Sequence, residues 1–362
     1  MKAEKRLEEL RRLSKDELIQ KIREHKKRLG NELIILGHHY QRDEIIELSD
    51  LRGDSFKLAK LASEQKQAKY IVFCGVHFMA ESAEILAQPE QAVFIPDIQA
   101  GCPLADFADI SDVERAWKEI NEICKEKIIP ITYVNSSAQL KAFCGKYDGA
   151  CATSSNADKL FKWAFEKADK VFFFPDEHLG RNSAFKLGIK ENEIVVFDPA
   201  VGIKDTEKRN LKSARVFLWK GYCHVHTFFK QEDVERIRTE YSSAKIIVHP
   251  ECPYEVASKA DALGSTEQII QYVQAQPEGS IIAVGTEIHL VERLAKEERE
   301  KRKVIPLAHS ICPNMYKINL FNLLLVLEEI AEGNLNSIRR IRLNEQIKTE
   351  AKKALERMLK FG

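Results

Sequence analysis

The chain has 362 residues, 56 basic against 55 acidic, and a formal net charge of +1, which excludes the charge excess of a nucleic-acid or anionic-membrane binder. An apolar content of 44% with 31% charged residues is that of an ordinary globular protein, and at ~150 residues per domain the length predicts two or three domains. No apolar stretch approaches the ~18 residues of a membrane span, and the charged start MKAEKRLEELRRL does not read as a signal peptide, so a cytoplasmic protein without membrane or nucleic-acid partners is expected.

The first thirty residues read as helical: Ser14 with Glu17 has a capping-box pattern, Leu18 and Ile22 follow at helical spacing, and Gly30 is the stop. From there to about Pro306, the short β-rich runs LIIL, YIVF, AVFI, IIPITYV, KVFFF, ARVFLW, KIIV and SIIAV alternate with amphipathic stretches. One such stretch, Ser111 to Lys125, repeats the capping-box pattern in Ser111 and Glu114, and its Val113, Ala116, Trp117, Ile120 and Cys124 keep helical spacing. The alternation predicts α/β units with parallel sheets. A Lys- and Arg-rich helical region closes the chain, with Ile341, Ile347, Ala351, Leu355 and Met358 expected to pack it on the body and its basic residues on a solvated face.

The runs end in small or polar residues, and the endings repeat. One unit reads GHHY, GDS, GVHF and GC; the next YVNSS, TSS, PDEH and GYC; the third HPE, GST, GTEIH and SIC. His38 to Ser55, Asn135 to Ser154 and His249 to Thr266 are nearly equal steps, and His77, His178 and His289 follow at nearly equal distances. Each unit closes with one cysteine: Cys102, Cys223 and Cys312. This predicts three similar αβα-layered domains around a pseudo-threefold axis, with an active site at their junction, because ligands sit at the carboxyl ends of parallel strands. The expected boundaries are 1–111 (N-terminal helices and first unit), 112–229, 230–318, and a helical tail over 319–362.

Eight cysteines without a C-x-x-C are too few for a disulfide framework and have neither ferredoxin nor zinc-ribbon spacing. Cys102 and Cys312 each precede proline, which favours a loop around the thiol, and Cys223 follows a strand in GYCHVH. Cys74 and Cys124 read as core. Cys144 and Cys151 fall in a Gly-containing loop and read as structural, with a labile thiol pair as the alternative; Cys252, beside Glu251, is the rival ligand. Three thiolates suit a tetrahedral zinc with a fourth ligand, or a four-iron cluster with one open iron acting as a Lewis acid, and spacing does not separate the two. His38, His39, Tyr40, His249 and Glu251 form a set of proton-transfer groups at strand ends. Ser55, Ser154 and Thr266 each open a helix, where a hydroxyl either binds carboxylate or phosphate or simply caps. A zinc-dependent hydrolase and a non-catalytic ligand-binding protein of the periplasmic type are the rival classes; the first predicts a colourless protein, and the density of proton-transfer groups weighs against the second.

Taken in order, LGHHYQRDE, GDSFKLA, FCGVHFMAES, YVNSSAQLKA, TSSNA, PDEHLGRN, WKGYCHVH, VHPEC, GSTEQII, GTE and CPNM resemble quinolinate synthase, the NadA family, from about Leu33 to Met315. The resemblance implies three α/β domains with one oxygen-sensitive [4Fe-4S] cluster at their junction. It also implies a transferase-type condensation of iminoaspartate with dihydroxyacetone phosphate, losing phosphate and water, to give quinolinate for NAD biosynthesis, with transient supply of the imine by an aspartate-oxidising enzyme. By motif, Cys102, Cys223 and Cys312 would be the metal ligands. His38, Ser55, Tyr133, Asn135, Ser154, His249, Glu251 and Thr266, with backbone groups of Val134 and Pro250, would line the substrate site. Tyr40 and Glu251, with His249, would serve proton transfer. Where some relatives carry additional cysteines near the third ligand, Ile311-Cys312-Pro313-Asn314 offers one thiol, which leaves no neighbouring partner for a regulatory disulfide.

Overall fold

The computed structural model describes residues 2–202 and 211–361. The chain divides into two compact units, residues 1–101 with 312–343, and residues 102–311 with 344–362.

In the smaller unit, β1 (Leu33–His38), β2 (Leu51–Gly53), β3 (Tyr70–Cys74) and β4 (Ala92–Phe94) form a parallel sheet in the order β2-β1-β3-β4, with Leu33 opposite Tyr70 and Leu36 opposite Leu51. Every residue of β1 is buried, which is why LIIL is an unbroken apolar run: a parallel strand covered on both faces has no side left for polar residues. The helix Lys15–Leu29 opens on the Ser14–Glu17 capping box and stops at Gly30, whose φ of 54° is in the left-handed region. It packs on the helix Leu320–Ala331. The following stretch covers the sheet edge, because the Ile341 N–H donates to the Val93 carbonyl at 2.8 Å and Arg340 bridges Phe94.

The larger unit holds two more parallel sheets. The first, with β5 (Ile128–Tyr133), β6 (Ala150–Ala152), β7 (Lys170–Phe174), β8 (Ile194–Phe197) and β9 (Val216–Trp219), has the order β6-β5-β7-β9-β8. The second, with β10 (Lys245–Val248), β11 (Ala262–Leu263), β12 (Ile281–Gly285) and β13 (Lys303–Pro306), has the order β11-β10-β12-β13. The protein is therefore α/β, with three parallel sheets alternating with helices. All three begin in the order second, first, third, so the chain steps to one side of the first strand and then to the other. That reversal opens a crevice between the carboxyl ends of the first and third strands, where open α/β sheets bind ligands.

Two local expectations are corrected. The helix predicted to start at Ser111 spans Ile110–Ile123 and is capped by Asp109, whose carboxylate accepts both the Ser111 N–H at 2.8 Å and the Ser111 hydroxyl at 2.7 Å. A carboxylate is the stronger acceptor at a helix N-terminus and complements its dipole. Cys144 and Cys151 do not share a loop: Cys144 is in the helix Ala138–Lys146 and Cys151 in β6, both fully buried. The helix Glu345–Lys360 lies on Ala138–Lys146 and on β6, burying Ala351, Leu355 and Met358 as expected, with Ile347 half-buried; Ile341 belongs to the smaller unit.

Candidate active site

In the larger unit the carboxyl ends of four strands supply the chemistry. Tyr133 ends β5, Asp176 follows β7, His249 and Glu251 follow β10, and Thr286 follows β12. Glu251 is the hub and is only 2% exposed. Its Oε1 accepts the Tyr133 hydroxyl at 2.5 Å, and its Oε2 lies 3.1 Å from His226 Nδ1. The other ring nitrogen of His226, Nε2, is 3.2 Å from the Thr286 hydroxyl. With Nδ1–H donating to the carboxylate, Nε2 is left to accept from Thr286, so the three form a hydroxyl–imidazole–carboxylate chain in which Glu251 orients the ring. His249 stacks on His226 with centroids 4.1 Å apart, and its Nδ1 is 3.6 Å from Glu251.

Burial works against ionisation of Glu251, but His226, His249 and the Tyr133 hydroxyl outweigh it and hold the carboxyl down at about 2. Burial, reinforced by His226, brings His249 down to about 3, so it is neutral at physiological pH. His226 and Tyr133 are then the donors that sustain the Glu251 charge. Asp176 is also wholly buried. Its Oδ1 accepts the Leu179 N–H at 2.6 Å, its Oδ2 has no hydrogen-bond partner, and burial followed by the nearby Glu251 charge pushes it well above the usual carboxylate range. The site thus holds two buried carboxyls whose proton affinities are pushed in opposite directions, the pattern from which acid–base pairs are built.

Of the residues expected from sequence, the structure brings Tyr133, His249 and Glu251 into contact. Ser154 and Pro250 line one cavity with Asn182. Asn135, two residues beyond Tyr133, has a buried Oδ1 without a hydrogen-bond partner among the described residues. The backbone groups of Val134 are engaged internally: its N–H donates to Ala152 at 2.7 Å and its carbonyl accepts from Ser136 at 2.8 Å. In the smaller unit, His38 ends β1 with its Nδ1 accepting the Tyr40 N–H at 3.1 Å and the Tyr40 ring edge-on at 4.7 Å. Plain N-capping does not account for the three hydroxyls. Ser55 is the first residue of Ser55–Glu64, whose cap is Asp54, and Thr266 is the first of Thr266–Ala275, whose cap is Ser265. Ser154 precedes Ala157–Phe165, whose N-cap is Asn156. His226, Thr286 and Asp176 carried no assignment in the sequence, although the motifs GYCHVH, GTE and PDEH contain them.

The cysteines divide sharply. Cys74, Cys124, Cys144, Cys151 and Cys252 are buried, whereas Cys102, Cys223 and Cys312 are partly exposed in loops. Burial pushes the Cys74 and Cys151 thiols up to about 12, and raises Cys124, Cys144 and Cys252 as well, which leaves them poor thiolates. By exposure the three loop thiols are each accessible to serve as a metal ligand, and the five core thiols are not. Donor atoms of Cys223, His226 and Glu251 lie within 4.8 Å of one another, so this thiol borders the acid–base cluster.

Parallel sheets with titratable groups gathered at their carboxyl ends, beside a metal-competent thiol, define an α/β enzyme. Residues 20–360 match the family described as Quinolinate synthetase A protein, NadA. A quinolinate synthase of Acidobacterium capsulatum is 49% identical over 339 residues, covering 92% of this chain and 90% of its own. Those of Rhodopirellula baltica (46% over 367 residues, 98% and 93% covered) and Lysinibacillus sphaericus (46% over 354 residues, 97% and 95% covered) are similar to it as well. The chain belongs to the NadA family of quinolinate synthases.

Proposed function

We propose that this chain condenses iminoaspartate with dihydroxyacetone phosphate, releasing phosphate and water, to make quinolinate for NAD biosynthesis. The observation that carries the reading is membership of the family over nearly the whole chain. Cys102, Cys223 and Cys312 would hold one [4Fe-4S] cluster, in keeping with their partial exposure. When bound, a cluster with three thiolate ligands supplies an open iron that polarises a leaving hydroxyl as a Lewis acid.

The protein residues do the rest. Asn135, Ser154, Thr266, Ser55 and His38 bind and orient the substrate's carboxylates, phosphate and carbonyl oxygens. Glu251, ionised, holds the His226 imidazole so that it and the Thr286 hydroxyl relay a proton to and from the substrate, and His249, neutral, hydrogen-bonds the substrate without adding charge. Tyr40 supplies a second proton-transfer group. No helix among the described residues is long and apolar enough to cross a membrane, and with the near-zero net charge this supports a cytoplasmic enzyme acting on small molecules, supplied with its imine by an aspartate-oxidising enzyme.

The test is anaerobic assay of the iron-loaded protein with dihydroxyacetone phosphate and an imine generated in situ. Quinolinate and phosphate should form together; their absence from a sample replete in iron and sulfide overturns the proposal. Replacing each of the eight cysteines by Ala tests the ligands: iron should be lost with Cys102, Cys223 or Cys312 and retained with the other five. A second reading, zinc at Cys223, His226 and Glu251, has the proximity of these donors in its favour, and it predicts a colourless protein with stoichiometric zinc.

A further inference from the structure

Glu251 owes its chemistry to three neighbours, yet it stands on a short segment, residues 249–252, that leaves the end of a strand. The Glu251 N–H reaches His249 Nδ1 at 3.3 Å and the Cys252 N–H donates to the His249 carbonyl at 3.0 Å, so the segment is a tight turn whose tilt sets where the carboxylate points. The two carbonyls flanking Glu251, those of Pro250 and Cys252, both point to one side chain. The Asn182 amide nitrogen donates one hydrogen to Pro250 at 2.8 Å and the other to Cys252 at 2.9 Å. Asn182 is 7% exposed and sits on the helix Glu177–Lys186, which follows β7.

That helix is itself firmly seated. A Cβ at Gly180 would lie 2.5 Å from a Leu218 methyl and 2.7 Å from the Phe173 ring, so the helix approaches β7 and β9 as closely as only glycine allows. Arg181 pairs with Glu177 and Glu191, and Phe185 meets the Tyr254 ring edge-on at 4.5 Å, just beyond the turn. The Asn182 amide is thus a fixed two-pronged donor, and it uses both hydrogens on the backbone either side of Glu251.

We propose that Asn182 is a positioning residue for Glu251, clamping residues 250–252 so that the carboxylate meets Tyr133 and His226 together. The proposal rests on the role given to Glu251 above, that of holding the His226 imidazole. Its physical basis is that a carboxylate satisfied at 2.5 Å and 3.1 Å from opposite sides tolerates little rotation of its backbone, and a displacement of about 1 Å at such a group costs on the order of 100-fold in rate. No other amino acid of this size offers two donors in one plane: aspartate keeps the shape and has no donor, and serine has one.

The experiment uses Asn182→Asp, with Asn182→Ser carrying the same reading should the Asp variant lose its fold. In the full iron-loaded chain, kcat for quinolinate should fall by ~10- to 100-fold with KM and iron content little changed. A second readout needs no turnover. Cys252 is fully buried in the wild type, and release of its carbonyl should raise its alkylation rate at least 10-fold, measured by peptide mapping against buried Cys74 as the internal control. Faster Cys252 labelling with the lowered kcat establishes the clamp. Unchanged labelling and unchanged kcat in a wild-type enzyme that does make quinolinate overturn the clamp alone. If the wild type makes no quinolinate, the proposed reaction fails, and Cys252 labelling still decides whether Asn182 holds the turn. A lower melting temperature with kcat, KM and Cys252 labelling unmoved assigns Asn182 a structural role and overturns the proposal.

Discussion

Replacing Tyr133 by Phe removes one hydroxyl from a buried carboxylate and leaves the ring in place. The bond it deletes is 2.5 Å long, between residues 4% and 2% exposed, so water cannot easily substitute for the lost donor. A hydrogen bond to a charged group contributes about 1.5–3 kcal/mol, equivalent to ~1–2 units in the pKa of its acceptor. Glu251, at about 2 in the wild type, should therefore rise by that amount and stay ionised at neutral pH. Because its folded value lies below the ordinary 4.5, its charge stabilises the fold above 4.5, and that stabilisation is lost as pH falls through the folded pKa. Tyr133→Phe should accordingly unfold in urea with a deficit of about 1.5–3 kcal/mol at pH 7 and at pH 5, shrinking below about pH 4 as the variant's Glu251 takes up its proton and gone by about pH 2, where the wild type is protonated too. Equal stability at pH 7, or a deficit that does not change with acidification, would refute the claim that the hydroxyl serves an ionised Glu251.

Two further outcomes are expected. A Cβ at Gly145 would lie 1.9 Å from the Glu350 backbone carbonyl, which no rotamer change can relieve, so Gly145→Ala should displace the helix Glu345–Lys360 at a cost of about 1–3 kcal/mol or more, read as a lowered melting temperature; an unchanged melting temperature contradicts the packing. His249, near 3 when folded against 6.5 in its ordinary state, is a buried neutral imidazole whose contribution is intact above 6.5 and lost on acidification. Stability should fall by about 1.4 kcal/mol per pH unit as pH drops from 6.5 toward 3, and His249→Gln should remove that part of the slope.

The α/β architecture was legible because each central parallel strand is buried on both faces and must be apolar throughout, as in Leu33–Leu36 and Val171–Phe174. The shortest outer strands were not. β2, β6 and β11 are two or three residues long and exist because a neighbour is already formed, as when Val248 aligns Leu263. Their positions depend on tertiary pairing, and no run of β-formers announces them. The Asp109 cap was missed for a related reason: Ser111 and Glu114 have capping-box spacing, but a carboxylate two residues earlier competes for the same N–H and wins.

The site divides along the same line. His249 and Glu251 were recoverable because they sit at the end of a readable strand and the endings repeat from unit to unit, whereas Tyr133 was named only through the family resemblance. His226 was not, although it lies three residues beyond Cys223 in a motif already singled out. Its role comes from meeting Glu251, 25 residues away, and Thr286, 60 residues away, across two strand ends at once. Neither separation has a helical or strand period, so no local pattern could select His226 over its neighbour His224. The hydroxyls show the complementary case. Spacing alone put Ser55 and Thr266 at helix starts, where capping would be the ordinary use of their oxygens. Asp54 and Ser265 occupy the cap positions instead, one residue earlier in each case, so capping does not explain either hydroxyl.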